Sequence, residues 1–416
     1  MFAFIRAELR WLAAGFLLTF FSGFGQTYFI SLSNEALMAR FGLSHGGIGL
    51  TYALATLTSA AILLEFGKIV DRVSTRTSVM IVVAGLGLAC LLVSAAWAVW
   101  ALFLAFLGLR LFGQGMMSHV AMTATGRWFE ASRGRAVSLV ALGHPASEAV
   151  MPPVAVAVLL AFGLKELWWI GAGVVALIAL PLLVILLYRE RVPKHAGAES
   201  GDAPAPAEKL SWRRGDVLRE PVFVLMLLGV LCPPFMVTGL FFHQQHLIAI
   251  KDWPAGLWAA GFTTFAAAQV ASSLLSGALT DRFSARALLP FYLVPLAFAL
   301  MLPALLEPRW AIFVLMVLIG LTGGAAATIM GAIWPEVFGV KHLGEIRALT
   351  FAAMVASTAA SPVLTGALID LGIAFPTQLA VMGGYCLLAS LLMGLIQPRL
   401  AALAGDDVRP HSAPAT

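Results

Sequence analysis

The chain alternates apolar stretches of about 20 residues with short polar turns. A helix of that length, rising 1.5 Å per residue, crosses the ~30 Å hydrocarbon core of a bilayer. The stretches fall near 11–33, 46–66, 78–97, 101–125, 136–160 and 167–188, and again near 221–246, 255–278, 287–306, 310–333, 348–370 and 376–396. The first is too long for the apolar centre of a secretory signal and carries no Ala-x-Ala cleavage site, so it reads as a retained span. Between the two sets the character changes: Pro193, Pro204 and Pro206 lie among Ala, Gly, Glu and Lys, a composition that cannot bury a core. The pattern predicts an all-α membrane protein with twelve transmembrane helices. Its parts are a six-helix half (1–188), a cytosolic linker (189–219), a second six-helix half (220–398) and a flexible cytosolic tail (399–416).

The two halves repeat a charged turn. Gly67-Lys-Ile-Val-Asp71-Arg72-Val-Ser-Thr-Arg76 returns as Gly277-Ala-Leu-Thr-Asp281-Arg282-Phe-Ser-Ala-Arg286, each copy between the second and third apolar stretches of its half, with the aspartates 210 residues apart. Such spacing marks an internal duplication. The shared Gly-x-x-x-Asp-Arg-x-x-x-Arg pattern resembles the signature loop of the major facilitator superfamily, and the resemblance spans almost the whole chain. It implies two pseudo-symmetric six-helix halves and alternating access. It also implies that Gly67, Asp71, Arg72 and Arg76 in one half, and Gly277, Asp281, Arg282 and Arg286 in the other, act as a conformational latch. An aspartate at the end of a span can meet the positive N-terminal end of a helix from the other half, worth roughly 0.3–1 kcal/mol when exposed and up to ~2 kcal/mol when partly buried. Both copies carry a serine, Ser74 and Ser284, where the family's loop commonly has a second glycine, so a looser turn is expected at each.

Composition agrees: 60% of residues are hydrophobic, 11% are charged and the mean hydropathy is +0.92, far from the roughly 25% charged residues of soluble domains. The net charge of +5 does not imply nucleic acid, because the basic residues sit in short loops between apolar runs. Both ends are expected in the cytosol, since that arrangement puts 21 Lys and Arg residues inside and only Arg40, Lys165, Lys251 and Arg309 outside. The expected location is a cell (inner or plasma) membrane. Cys90, Cys232 and Cys386 each stand alone in an apolar run, so neither disulfide nor metal site is expected. No phosphate-binding Gly-x-x-x-x-Gly-Lys-Ser/Thr loop occurs, so energy must come from gradients. No cofactor and no enzymatic cluster is expected, and the chain is read as functional as a monomer.

Ionisable residues inside spans are costly and therefore informative. Arg110 stands about 11 residues into the fourth span, ~16 Å deep at 1.5 Å per residue, and Glu148 reaches the same depth in the antiparallel fifth. The two are placed to pair, either as a structural ion pair or as part of a coupling site. His119 and His144 share a second level, with His144 one turn from Glu148, which suggests a proton relay or histidines satisfying nearby carbonyls. Pro145, Pro152 and Pro153 would free such carbonyls. Arg110-Leu-Phe-Gly-Gln114-Gly115 is similar to the superfamily's fourth-span Arg-x-x-x-Gln-Gly pattern, which implies proton coupling or substrate binding for Arg110 and Gln114. Gln26 and Tyr28 lie near mid-depth in the first span. Cys232-Pro233-Pro234 reads as a hinge in the seventh, with His243 and Gln244 beyond it as an outer gate, a substrate contact or a solvated helix end. Glu35 and Asp370 read as outer helix ends, and Glu65 and Glu336 as cytosolic ones, without assigned chemistry.

The loop Arg127-Trp128-Phe129-Glu130-Ala-Ser-Arg133-Gly134-Arg135-Ala136, with its echo from Phe338 to Arg347, resembles the monocarboxylate and oxalate–formate branches of the superfamily. That resemblance implies a small organic anion, and a mid-membrane arginine suits a carboxylate. The leading expectation is proton-coupled secondary transport of such an anion. Proton-antiport efflux of drugs or metabolites, and a non-transporting sensor on the same scaffold, are the alternatives.

Overall fold

The computed structural model describes residues 2–129, 132–189 and 212–404, and among these every regular element is a helix. Ten helices are long and apolar enough to cross a membrane: His45–Arg72, Thr75–Ala95, Val99–Trp128, Arg133–Phe162, Leu164–Leu186, Pro221–Phe242, Ala255–Phe283, Ala311–Phe338, Leu343–Asp370 and Phe375–Leu395. The expected first span is there in pieces, as Phe2–Phe21, Ser22–Gly25 and Thr27–Ile30, and the expected ninth as the shorter Val294–Leu305. These elements agree with the twelve-span architecture. The first helix begins well before residue 11, because the stretch with Arg6, Glu8 and Arg10 is itself helical. Most of the expected linker, together with the tail beyond 404, lies outside the described residues. The end of the linker is helical: Arg214–Arg219 is one short helix, and the Trp212 amide donates to the Phe338 carbonyl at 3.1 Å.

Several spans are interrupted, among them the first, fourth, fifth and seventh. In the first, Gln26 is extended (φ −82°, ψ 150°) after a 3-10 turn at Ser22–Gly25, so the Phe29 and Ile30 amides bond to the Gln26 carbonyl and leave that of Gly25 unused by the helix. The fourth runs as a π-helix from Leu109 to Met117, a local widening that often marks a functional site. The fifth breaks at Leu142, between Arg133–Ala141 and Gly143–Phe162. Pro145 explains this position, since it has no N–H for the Ala141 carbonyl and its ring crowds the preceding turn. The Val140 carbonyl, which also loses its helical partner, accepts a hydrogen bond from the Thr19 hydroxyl at 2.6 Å. Pro152 and Pro153, by contrast, stay within the helix. The seventh breaks at Leu231, between Pro221–Val230 and Cys232–Phe242, one residue before the Cys-Pro-Pro run and two before its first proline.

The chain forms two compact units. One comprises Met1–Glu199, Thr238–Ala267 and Thr358–Phe375; the other comprises Ser200–Val237, Ala268–Ser357 and Pro376–Thr416. Within the first, segments from both sequence halves are tied by buried hydrogen bonds: Ser31 Oγ donates to the Phe241 carbonyl (2.6 Å) and Asn34 Nδ2 to the Phe242 carbonyl (2.8 Å).

Candidate functional site

The first unit gathers most of the polar groups singled out at mid-span. Glycine contact brings the broken first span against the π-helix. A Cβ on Gly25 would lie 2.2 Å from the Leu109 carbonyl oxygen and 2.5 Å from the Gln114 nitrogen, and one on Gly113 would lie 2.7 Å from the Gly25 Cα. Only backbones without side chains can approach so closely. Arg110 then reaches the carbonyl freed by the break, its Nη1 donating to Gly25 at 3.4 Å, while its guanidinium lies 5.2 Å from the centre of the Tyr52 ring. Tyr52 Oη and Thr27 Oγ1 share a 2.7 Å hydrogen bond. Arg110 is 5% exposed and its Nε has no hydrogen-bond partner. Its contacts are one long hydrogen bond and one aromatic face, with no carboxylate among them.

Glu148 stands on the fifth span beside a second polar group. Tyr28 Oη and Ser147 Oγ are 2.7 Å apart, and Ser147 Oγ lies 3.0 Å from the His144 carbonyl. His144 Nδ1 faces Ser22 Oγ at 3.4 Å, at the break of the first span. Gly23 makes this junction passable, since a Cβ there would sit 2.6 Å from Tyr28 Oη and 2.8 Å from Ser147 Oγ. Glu148 Oε2 is buried without a hydrogen-bond partner. No ion pair joins Arg110 to Glu148 in this conformation; the freed Gly25 carbonyl and the Tyr52 ring hold the guanidinium instead. Gln26 and Gln114 flank this region on the broken first span and the π-helix, both half-buried.

The two other histidines lie elsewhere. His119 Nε2 is 3.2 Å from the Gly67 carbonyl at the charged turn, whereas His144 faces Ser22, so the structure does not place the two on one hydrogen-bonded path. His243 and Gln244 are buried, not a solvated helix end. His243 Nε2 lies 3.1 Å from the Pro362 carbonyl. Gln244 Nε2 donates to the Tyr28 carbonyl (2.9 Å) and to Ser31 Oγ (2.7 Å), while its Oε1 accepts from Trp258 Nε1 (2.7 Å). That satisfied amide pegs the start of Gln244–Ile250 onto the first span.

The charged turns differ between the copies. Asp71 pairs with Arg127, whose Nη1 also donates to the Val70 carbonyl at 2.9 Å, so its partner belongs to its own half. Arg76 lies over the Tyr188 ring, 5.8 Å from its centre. In the second copy Asp281 is exposed, and Arg286 pairs with Glu336 at 3.5 Å. Glu336 also accepts from the Ala285 amide at 2.8 Å, which is more than a plain helix end. Arg282 stacks on Phe283, 5.0 Å from the ring centre. The expected loosening occurs at neither serine. Ser74 caps the following helix by accepting from the Thr77 amide, and Ser284 itself adopts φ +79°, ψ 156°, the backbone a glycine would take.

Tyr52, Thr27, Ser147, Gly23 and Gly25 escaped the sequence reading as site residues. The Gly23-Phe-Gly25-Gln26 run within an apolar stretch was the available signal, because two glycines beside a glutamine at mid-depth weaken a helix where its backbone can be used.

The comparisons with known proteins come to the same fold. The family model described as the Major Facilitator Superfamily matches residues 15–263 and 254–411, so the chain belongs to that superfamily of membrane transporters. Among solved structures it is similar to a bacterial homolog of the human lysosomal transporter Spinster, described as inward-facing and unoccupied, with 15% identity, coverage of 97% of this chain and 98% of the other, and a TM-score of 0.65. The occupied form of that homolog matches at 16% identity, 96% and 95% coverage and a TM-score of 0.62. A variant of the nucleoside transporter NupG matches at 12% identity, 94% and 99% coverage and a TM-score of 0.65. At these identities the likeness concerns the fold alone. No curated protein sequence matches the chain.

Proposed function

We propose that the protein is a secondary transporter which moves a small organic anion, a monocarboxylate being the simplest, together with protons. The observation that carries this reading is the state of Arg110: a buried guanidinium with an unpartnered Nε, one carbonyl at 3.4 Å and one ring face. A buried charge is normally paired, and an unpaired one costs several kcal/mol. A carboxylate entering beside Tyr52 and Gln26 would supply the missing partner with a planar, bidentate fit. Glu148, with its buried and unpartnered Oε2, is assigned the coupling proton; Ser147, whose hydroxyl pairs with that of Tyr28, and His144, whose Nδ1 faces Ser22 Oγ, are the polar groups nearest to it along the fifth span. The broken first span supports the assignment, since interrupted helices at mid-depth are where secondary transporters build their sites. The bias of basic residues supports cytosolic termini, and a cell membrane is the location this reading assumes.

The test is uptake and counterflow in proteoliposomes against a panel of carboxylates, with amphipathic drugs as the competing class, with and without a pH gradient. Arg110→Gln is expected to lose both exchange and accumulation. Glu148→Gln is expected to keep exchange and lose proton-driven accumulation. Accumulation by Glu148→Gln in response to a pH gradient would remove Glu148 from the coupling, leaving His119 and His144 as the next candidates. Asp71→Asn is expected to slow flux while the protein stays in the membrane, and normal flux would dismiss the latch.

A further inference from the structure

At the end of the first unit away from the Asp71 turn, three side chains from distant parts of the chain converge. Glu35 is in the first turn of Asn34–Phe41, His45 begins the second span, and His246 lies on Gln244–Ile250. One ligand atom from each, all three mutually within 4.8 Å, defines the cluster. The His45 and His246 rings are 4.4 Å apart between centres and only half-buried. Among the described residues neither imidazole has a hydrogen-bond partner, although the neighbouring His243 spends its Nε2 on the Pro362 carbonyl at 3.1 Å. The frame beneath the cluster is fixed. Asp370 accepts from the His45 amide (3.0 Å) and the Gly46 amide (2.8 Å), while His246 packs against Phe375 at 6.3 Å between ring centres.

We infer that Glu35, His45 and His246 form a binding site for one divalent transition-metal ion of the zinc class. Two imidazoles and a carboxylate are a donor set that zinc accepts with water in the remaining position. Bonds of about 2.0–2.1 Å at tetrahedral angles put neighbouring donor atoms about 3.4 Å apart. Side-chain rotations of roughly an ångström therefore close the site without backbone movement, and an exposed glutamate and two half-buried rings are free to make them. Calcium and magnesium fit poorly, because two of the three donors are nitrogen. Glu35 and His45 flank one short connection, whereas His246 lies 201 residues after His45 in sequence. A bound ion would thus clasp the start of the second span to the segment just beyond the seventh, next to the Gln244 peg. The site departs from the sequence-based expectation of no metal, which rested on cysteines and could not see three dispersed side chains.

The test needs neither a substrate nor a transport assay, so it stands apart from the anion reading. Tag-free full-length protein in detergent is titrated with Zn(II) against a chromophoric chelator, and its thermal unfolding midpoint is followed with and without Zn(II). The parent is expected to bind one ion per chain at this site and to gain several degrees. His45→Ala and His246→Ala should each raise the Kd at least tenfold, and Glu35→Gln should do the same without disturbing the metal-free midpoint, since Glu35 is exposed. His342→Ala, which removes a histidine facing Glu345 in the other unit, should leave binding unchanged. Co(II) substituted for Zn(II) should give a visible spectrum that is lost in the His246→Ala variant. Equal zinc affinity and an equal midpoint gain in the parent, Glu35→Gln and His246→Ala would overturn the site.

Discussion

The fourth and tenth spans occupy equivalent positions in a duplicated chain, yet they differ in both shape and chemistry. The fourth, Val99–Trp128, widens into a π-helix that carries Arg110 and Gln114 and packs glycine to glycine against a broken first span. The tenth, Ala311–Phe338, is α-helical for 28 residues and holds no charge at mid-depth. A Cβ on its Gly324 would strike the Gln269 carbonyl at 2.1 Å, so the tenth span also uses glycine for close approach. There the approach is closed by hydrogen bonds, Ser272 Oγ donating to the Leu321 carbonyl at 2.6 Å and Thr328 Oγ1 to the Ser273 carbonyl at 3.2 Å. The same division appears at the repeated turn. In the first copy Gly67 ends one helix, Ile69–Arg72 forms a separate turn and Ser74 caps the next; in the second the helix runs unbroken through Asp281 to Phe283 and turns at Ser284. Duplication supplied two copies of one frame; the π-helix with its buried arginine belongs to the first, while the second has its own break at Leu231, whose carbonyl accepts from Ser357 Oγ at 3.3 Å.

The largest expected effect comes from filling the glycine contact. Gly25→Ala places a methyl 2.2 Å from a backbone carbonyl that cannot move aside, and should destabilise by about 3 kcal/mol or abolish folded protein. Gly229→Ala meets only the flexible end of Met393 at 3.2 Å and should be tolerated. Fluorescence-detected size exclusion of the two variants separates them, and equal yields would dissolve the asymmetry.

Next comes the ion pair of the second copy. Glu336 and Arg286 are 23% and 18% exposed, and Glu336 also accepts a backbone amide, so Glu336→Ala should cost about 1–3 kcal/mol. Asp71 and Arg127 are 59% and 51% exposed, so Asp71→Ala should cost under about 1 kcal/mol. Thermal midpoints in detergent rank the two, and the reverse order would show that the first turn is the tighter one.

Smaller still, Ser284→Gly should stabilise by about 1 kcal/mol. It relieves a backbone conformation that is nearly exclusive to glycine, at some cost in unfolded-state entropy. The same substitution at Ser74, which has φ −59° and caps a helix, should destabilise by a few tenths of a kcal/mol. A shared sign in urea or thermal unfolding would mean that the turns are alike after all. Gly277→Ala has open space around it and a helical position, so a gain of about 0.5–1 kcal/mol is expected. At Gly67 a methyl would meet the Leu63 carbonyl at 2.6 Å, and a loss is expected. Hydrogen exchange at the two turns would register the opposite signs.

The fold was legible in the chain because each span is a local property. Twenty apolar residues bury themselves in lipid wherever they occur, and the Asp71 and Asp281 turns announce the duplication without reference to anything distant. Position along a span was legible for the same reason, since Arg110 and Glu148 fall near the middle of Val99–Trp128 and Arg133–Phe162. Partners were not. Whether Arg110 meets Glu148 or the Gly25 carbonyl depends on where the first span breaks and on a π-turn that shifts the arginine's facing. Neither can be read from an apolar run, because the apolar pattern does not mark where a rare π-turn interrupts an α-helix. Gln244 could be placed near a helix end from sequence, but its burial against Tyr28 and Ser31 required contacts across more than 200 residues. The Glu35–His45–His246 cluster is the extreme case, since nothing in three separated residues signals their meeting. Periodicity acts along the chain and was settled by sequence. Hydrogen bonds and ligand geometry act across space, and only the packing of the helices decided them.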